Sequence, residues 1–177
     1  MLSREELWSL IQAFGDACQF IKELKERCPE AEHVQYPKTP PILTHSLAAL
    51  AILDGRLLSA EGPFTNVVLG GRQANILATS ADGSVLEIET KGSGENDFAT
   101  FGKRDYAADF LLWLRFGSEL REKRLDQVEV LICPRPEEHL PSGITRVTVG
   151  QLENNWQDGP IDRTNLNLAE LLRSAPN

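Results

Sequence analysis

The chain has 177 residues, 41% hydrophobic and 25% charged, the proportions of one soluble globular domain with a sizeable core. A net charge of −8 excludes a uniformly basic nucleic-acid coat, while leaving room for a local basic cleft. No apolar run reaches the roughly 18 residues of a membrane helix, and MLSREELW lacks the basic and apolar regions of a secretory signal. Three cysteines, Cys18, Cys28 and Cys133, form an odd set without CxxC spacing, which predicts free thiols in a reducing, cytoplasmic compartment.

In chain order, Ser3 followed by Glu6 is a capping-box pattern. Behind it Leu7, Leu10, Phe14, Ala17, Ile21, Leu24 and Cys28 recur at steps of three and four, predicting an amphipathic N-terminal helix within residues 1–28. Trp8, Ile11, Cys18 and Phe20 widen that stripe. Core packing accounts for it better than a homodimer zipper, because clean heptads with an e/g charge code are missing. Residues 29–43 carry four prolines and no period, so they read as a loop. Thr44 is placed to cap a short helix from His45 to Leu53, closed by Asp54-Gly55.

Strands are expected over Asn66–Leu69, Gln73–Thr79 and Val85–Lys91, the last two joined by a hairpin turn at Ala81-Asp82-Gly83-Ser84. Gly92-Ser93-Gly94 carries no Walker or Rossmann signature and reads as a turn. Phe98–Ala108 reads as a helix. Phe110–Phe116 and Val128–Cys133 are apolar enough for buried strands. Ile144–Val149 is a weaker strand, and Leu166–Ser174 a terminal helix. This order predicts a single α/β domain with a mixed central β-sheet flanked by helices.

Within Val85–Lys91, alternation puts Glu87, Glu89 and Lys91 on one face, neighbours spaced roughly 6–7 Å apart. A carboxylate so placed can hold a hard cation such as Mg²⁺, and an adjacent lysine can orient water or offset phosphate charge. The same triplet also fits a solvent-facing Glu/Lys ladder. Cys18, Cys28 and His33 have no zinc-ligand spacing. Lys103, Arg104 and Arg115, with Arg121, Lys123 and Arg124, gather positive charge suited to DNA phosphates. Interleaved Asp105, Asp109, Glu119 and Glu122 equally describe a mixed-charge surface.

The run GGRQANILATSADGSVLEIETKGSG, followed by TFGKRDYAADFLLWLRF and preceded by PPILTHSLAAL, resembles the core of the PD-(D/E)xK, or restriction-endonuclease-like, nucleases. The resemblance covers residues 40–133. It implies a restriction-endonuclease-like domain spanning 1–177 that hydrolyses DNA phosphodiesters with Mg²⁺ or Mn²⁺. Glu89 and Lys91 would be the catalytic pair, with Asn75, Glu89 and Glu87 at the metal. The family's metal-binding Asp falls on Asn75, and a helix Glu seen in related sequences falls on His45, which would be an accessory residue. Asn75 offers a metal an oxygen but no charge, which weakens Mg²⁺ binding. The alternative implied by those departures is a catalytically degenerate member serving as a DNA-binding or protein-interaction subunit.

Overall fold

The computed structural model describes residues 1–70, 74–94, 98–124, 126–139, 146–150 and 162–173. Helix α1 spans Arg4–Arg27 and opens with the expected capping box: Glu6 N donates to Ser3 Oγ (3.2 Å), and Ser3 N to Glu6 Oε2 (2.7 Å). Its buried line is Leu7, Ile11, Phe14 and Cys18 rather than the line expected through Leu10 and Ala17. Leu10 is half-buried and Ala17 exposed, and Trp8 and Phe20 also face outward. Along this seam the helix packs on several elements, the following 3₁₀ turn, the second helix and the C-terminal helix. Both lines obey helical spacing, and only the partner surface selects between them.

A 3₁₀ turn, Pro29–His33, interrupts the expected loop. Helix α2 then starts at Pro41 and runs to Leu53, three residues before the predicted cap at Thr44. Pro41 stands at the first helical position, where its fixed φ suits the turn and its missing N–H is not needed. Thr44 is therefore inside the helix, where its hydroxyl faces β3 instead of a helix end. Residues Leu43 to Ile52 of α2 are almost wholly buried, which makes α2 the central helix of the fold.

After a second 3₁₀ turn, Ser59–Glu61, come β1 (Phe64–Leu69), β2 (Ile76–Ser80) and β3 (Val85–Ser93). The β2–β3 hairpin turns where expected: Ser84 N donates to Asp82 Oδ1 (2.9 Å), and Gly83 takes φ +87°. Gln73 lies outside the described residues, and β2 starts later than its expected bound. β3 runs two residues past Lys91, so Gly92 and Ser93 are strand rather than turn, because they pair with Leu114 and Arg115. The expected helix over Phe98–Ala108 is instead strand β4 (Phe98–Thr100) followed by a short helix α3 (Lys103–Ala107). Gly102 breaks the run, and its N–H is taken by Asp105 Oδ2 at 2.6 Å.

β5 (Phe110–Arg115), β6 (Val128–Pro134), helix α4 (Pro136–His139) and β7 (Arg146–Thr148) follow. The chain closes with β8 (Asp162–Leu166) and helix α5 (Leu168–Arg173). Residues 144, 145 and 174 of the expected elements lie outside the described residues. The sheet order is β1-β2-β3-β5-β6-β8, with β3 and β5 parallel and the other neighbours antiparallel, while β4 and β7 pair separately. The fold is a single α/β domain with a mixed six-stranded sheet flanked by helices. Among the described residues, no helix is long and apolar enough to cross a membrane.

Both sheet faces are covered, so β5 reads as a continuous apolar run. Leu112 and Leu114 join α1, α2 and α5 in the larger core. Leu111 and Trp113 point the other way, into a second core with Ala99, Phe101, Leu131, Cys133, Val147 and Val149. Arg4 ties the helical layer together: its Nη2 contacts both Asp54 carboxylate oxygens (2.8 and 2.7 Å), and its Nε donates to Leu171 O (3.0 Å).

Gly92 sits where β3 passes under α2. A Cβ there would overlap Thr44 Oγ1 and approach Phe116 Cε2 to 3.2 Å. Thr44 is 2% exposed and has little room to yield. Gly92→Ala is therefore expected to cost about 1–3 kcal/mol, the range for overpacking a dense interior, measured by denaturant titration.

Candidate active site

Residues near the carboxyl end of β3 face a cavity of about 620 Å³ bounded by α2, β3, the segment before β2, and α3. Alternation along β3 turns Ile88, Thr90 and Gly92 toward α2 and leaves Glu89 and Lys91 on the side of the second core. The hairpin register, Ile76 opposite Ile88, brings Asn75 beside Glu89.

Glu89 is 3% exposed, an unusual depth for a carboxylate. Asn75 Nδ2 donates to its Oε2 and, at 3.3 Å, to Thr90 O, so the amide turns its nitrogen toward the carboxylate. Arg104 Nη2 lies 2.9 Å from Glu89 Oε1, within ion-pair range. Oε1 is buried, and beyond this Arg104 contact it has no hydrogen-bond partner among the described residues. The charge is thus partly compensated, while the oxygen retains an unused lone pair. Burial pushes the Glu89 carboxyl above its ordinary range; Arg104 and Lys91 pull it down, and Asp105 pushes it further up.

Asp105, on α3, is the second deeply buried acid at 4% exposure. Its Oδ1 meets Lys91 Nζ at 2.8 Å, while Lys91 Nζ also lies 5.8 Å from the Phe101 ring centre. Two acids and two bases thus interlock as Glu89–Arg104 and Asp105–Lys91. The sequence placed Asp105 only among surface charges. The local signal was an Asp three residues after Gly102, a spacing that lets a carboxylate fold back onto the N–H opening a helix.

His45 lines the cavity from α2, half-buried. Desolvation first, then Lys91 and Arg104, hold its pKa below the ordinary histidine value, so the imidazole is neutral near pH 7. Lys103 and Arg104 also line the cavity. Glu87 does not: it lies one pleat earlier, opposite Leu77, where its backbone N–H donates to Asp109 Oδ2 at 2.8 Å. Arg115 is also outside the cavity, paired across the sheet with Glu129. The structure therefore brings together Asn75, Glu89, Lys91, His45, Lys103 and Arg104, adds Asp105, and leaves Glu87 and Arg115 apart.

Among the described residues, no group of three or more His, Cys, Asp or Glu is arranged to hold a metal. The donor set nonetheless suits Mg²⁺ or Mn²⁺. Mg²⁺ characteristically takes one or two carboxylates and completes its shell with water and substrate phosphate. Glu89 and Asp105 are two such carboxylates in one cavity, and Glu89 Oε1 lacks a hydrogen bond. No family model, curated protein or solved structure matches this chain.

Proposed function

We propose that this chain is a divalent-cation-dependent phosphodiester hydrolase acting on DNA, of restriction-endonuclease-like type. The observation that carries this reading is the buried Glu89 carboxylate, with Oε1 lacking a hydrogen bond, two residues from Lys91 at an open cavity. Glu89 and Asp105 would hold Mg²⁺ or Mn²⁺, which when bound supplies Lewis-acid polarisation of the phosphate and acidification of water.

Lys91 orients the attacking water and offsets negative charge growing on the phosphate. Asn75 fixes Glu89 by donating to Oε2, while Oε1 lies against Arg104. Arg104 is half exposed, so its guanidinium can reach a DNA phosphate at the cavity mouth. Neutral His45 completes the wall without adding a third positive charge beside Lys91 and Arg104.

A second reading follows from the same ion pairs. They neutralise the four charges without any added ion, as expected of a degenerate subunit that binds DNA or protein but does not cut. Asn75→Asp separates the two. The substitution removes the donor to Glu89 and sets a second anion against it, so without metal the melting temperature should fall. In millimolar Mg²⁺ the added anionic ligand should enlarge the stabilisation, because a bound ligand must stabilise the folded state. Plasmid cleavage should rise with it. If neither protein gains stability from Mg²⁺ or Mn²⁺ and neither cuts DNA, the binding-subunit reading takes the lead.

A further inference from the structure

A larger recess of about 910 Å³ adjoins the candidate active site, the two sharing Thr39 and Gly92 in their walls. It is bounded by the second half of α1, the segment leading from the first 3₁₀ turn to α2, the end of β3 and the turn after β5. Among its described lining residues Lys25, Lys38 and Arg121 are cationic and only Glu32 is acidic. In a chain of net charge −8, that concentration of positive charge runs against the overall composition.

The cations are also organised. Arg121 Cζ lies 4.2 Å from the centre of the Tyr36 ring, and Lys25 Nζ lies 5.1 Å from the same centre. Two cations thus lie against one aromatic ring, within cation–π range. A terminal nitrogen of Arg121 also comes within 4.0 Å of the Cβ position at Gly94. Gly94 lies three residues beyond Lys91, roughly 10 Å along an extended chain. A polyanion entering the active-site cavity would therefore meet Arg121 and Lys25 within a few backbone units.

We propose that this recess binds the phosphodiester backbone of a single-stranded nucleic-acid segment leading away from the active-site cavity, with Arg121 and Lys25 on its phosphates. The proposal rests on reading the adjacent site as one that acts on DNA. The volume favours an unpaired strand: it is on the scale that encloses a small molecule, and does not enclose a double helix. A cationic trough beside an aromatic ring is also the chemistry by which unpaired strands are held without sequence preference.

The test is fluorescence anisotropy in EDTA, with a short labelled single strand and the duplex of the same sequence. The single strand should bind at least about tenfold more tightly than the duplex. Arg121→Gln and Lys25→Gln should each weaken single-strand binding by about three- to tenfold. Each should also flatten the salt slope by about 0.7, the share of one neutralised phosphate on a single strand. Tyr36→Ala, which removes the ring that both cations lie against, should also reduce the affinity. Equal affinity for duplex and single strand, or no change in Arg121→Gln and Lys25→Gln at unaltered melting temperature, would overturn the proposal. Because no metal is present, the result is independent of cleavage. A protein that cuts DNA but shows no single-strand preference keeps the nuclease reading and loses this one; no binding of either form overturns this proposal, while the nuclease reading is decided separately by cleavage in Mg²⁺.

Discussion

Lys91→Ala is expected to lower the proposed Mg²⁺-dependent DNA cleavage by about 10²–10⁴-fold, the range for removing a group that positions or transfers a proton in the transition state. Glu89→Gln should lower it at least as far, because Gln keeps the shape but not the charge that would hold the cation under the proposed function. The two variants should differ in binding. Under the proposed function, Glu89→Gln should abolish any rise in melting temperature with Mg²⁺, while Lys91→Ala should retain it, since Lys91 is not one of the proposed ligands. Stability needs its own control, because Lys91→Ala leaves the buried Asp105 without its cation. The double variant Lys91→Ala/Asp105→Asn removes both charges of that pair and should recover part of the lost stability without recovering cleavage. Unchanged cleavage in Lys91→Ala, at normal folding, would remove Lys91 from the mechanism.

Ile11→Ala is expected to cost about 2–5 kcal/mol in a denaturant titration, and Leu10→Ala clearly less. Ile11 is fully buried between α1 and the rest of the helical core, whereas Leu10 is only half-buried. Truncation at Ile11 removes apolar packing and leaves a cavity that dense neighbours cannot refill. For a domain with a total stability of about 5–15 kcal/mol, that loss is a large share, and it should lower the melting temperature by several degrees. A larger cost at Leu10 than at Ile11 would show that α1 packs along the line through Leu10 and Ala17.

The features legible in the chain itself are the local ones. The Ser3/Glu6 capping box depends on two side chains three residues apart, and the turn at Asp82-Gly83 depends on one carboxylate and one glycine with positive φ. The apolar runs in β5 and β6 marked strands covered on both faces, because burial on two sides removes the polar alternation. The alternation in β3 likewise put Glu89 and Lys91 on a common side.

The remaining features come from packing between distant segments. Helical spacing allows two seams on α1, and only the shape of the neighbouring layer chose Ile11 and Cys18 over Leu10 and Ala17. Gly92 and Ser93 carry turn propensity, but the parallel ladder with β5 holds them in strand, since each backbone group there finds a partner. The polar edge strand β8 has little apolar pattern of its own, and pairing with β6 makes it a strand. At the site, Glu89 became a buried acid rather than one rung of an exposed ladder because α3 folds over it and brings Arg104 and Asp105. Those two residues stand on a different element from Glu89 and Lys91, beyond the reach of any strand or helix period. Long-range packing alone sets such distances, and it is also what left Glu87 outside the cavity.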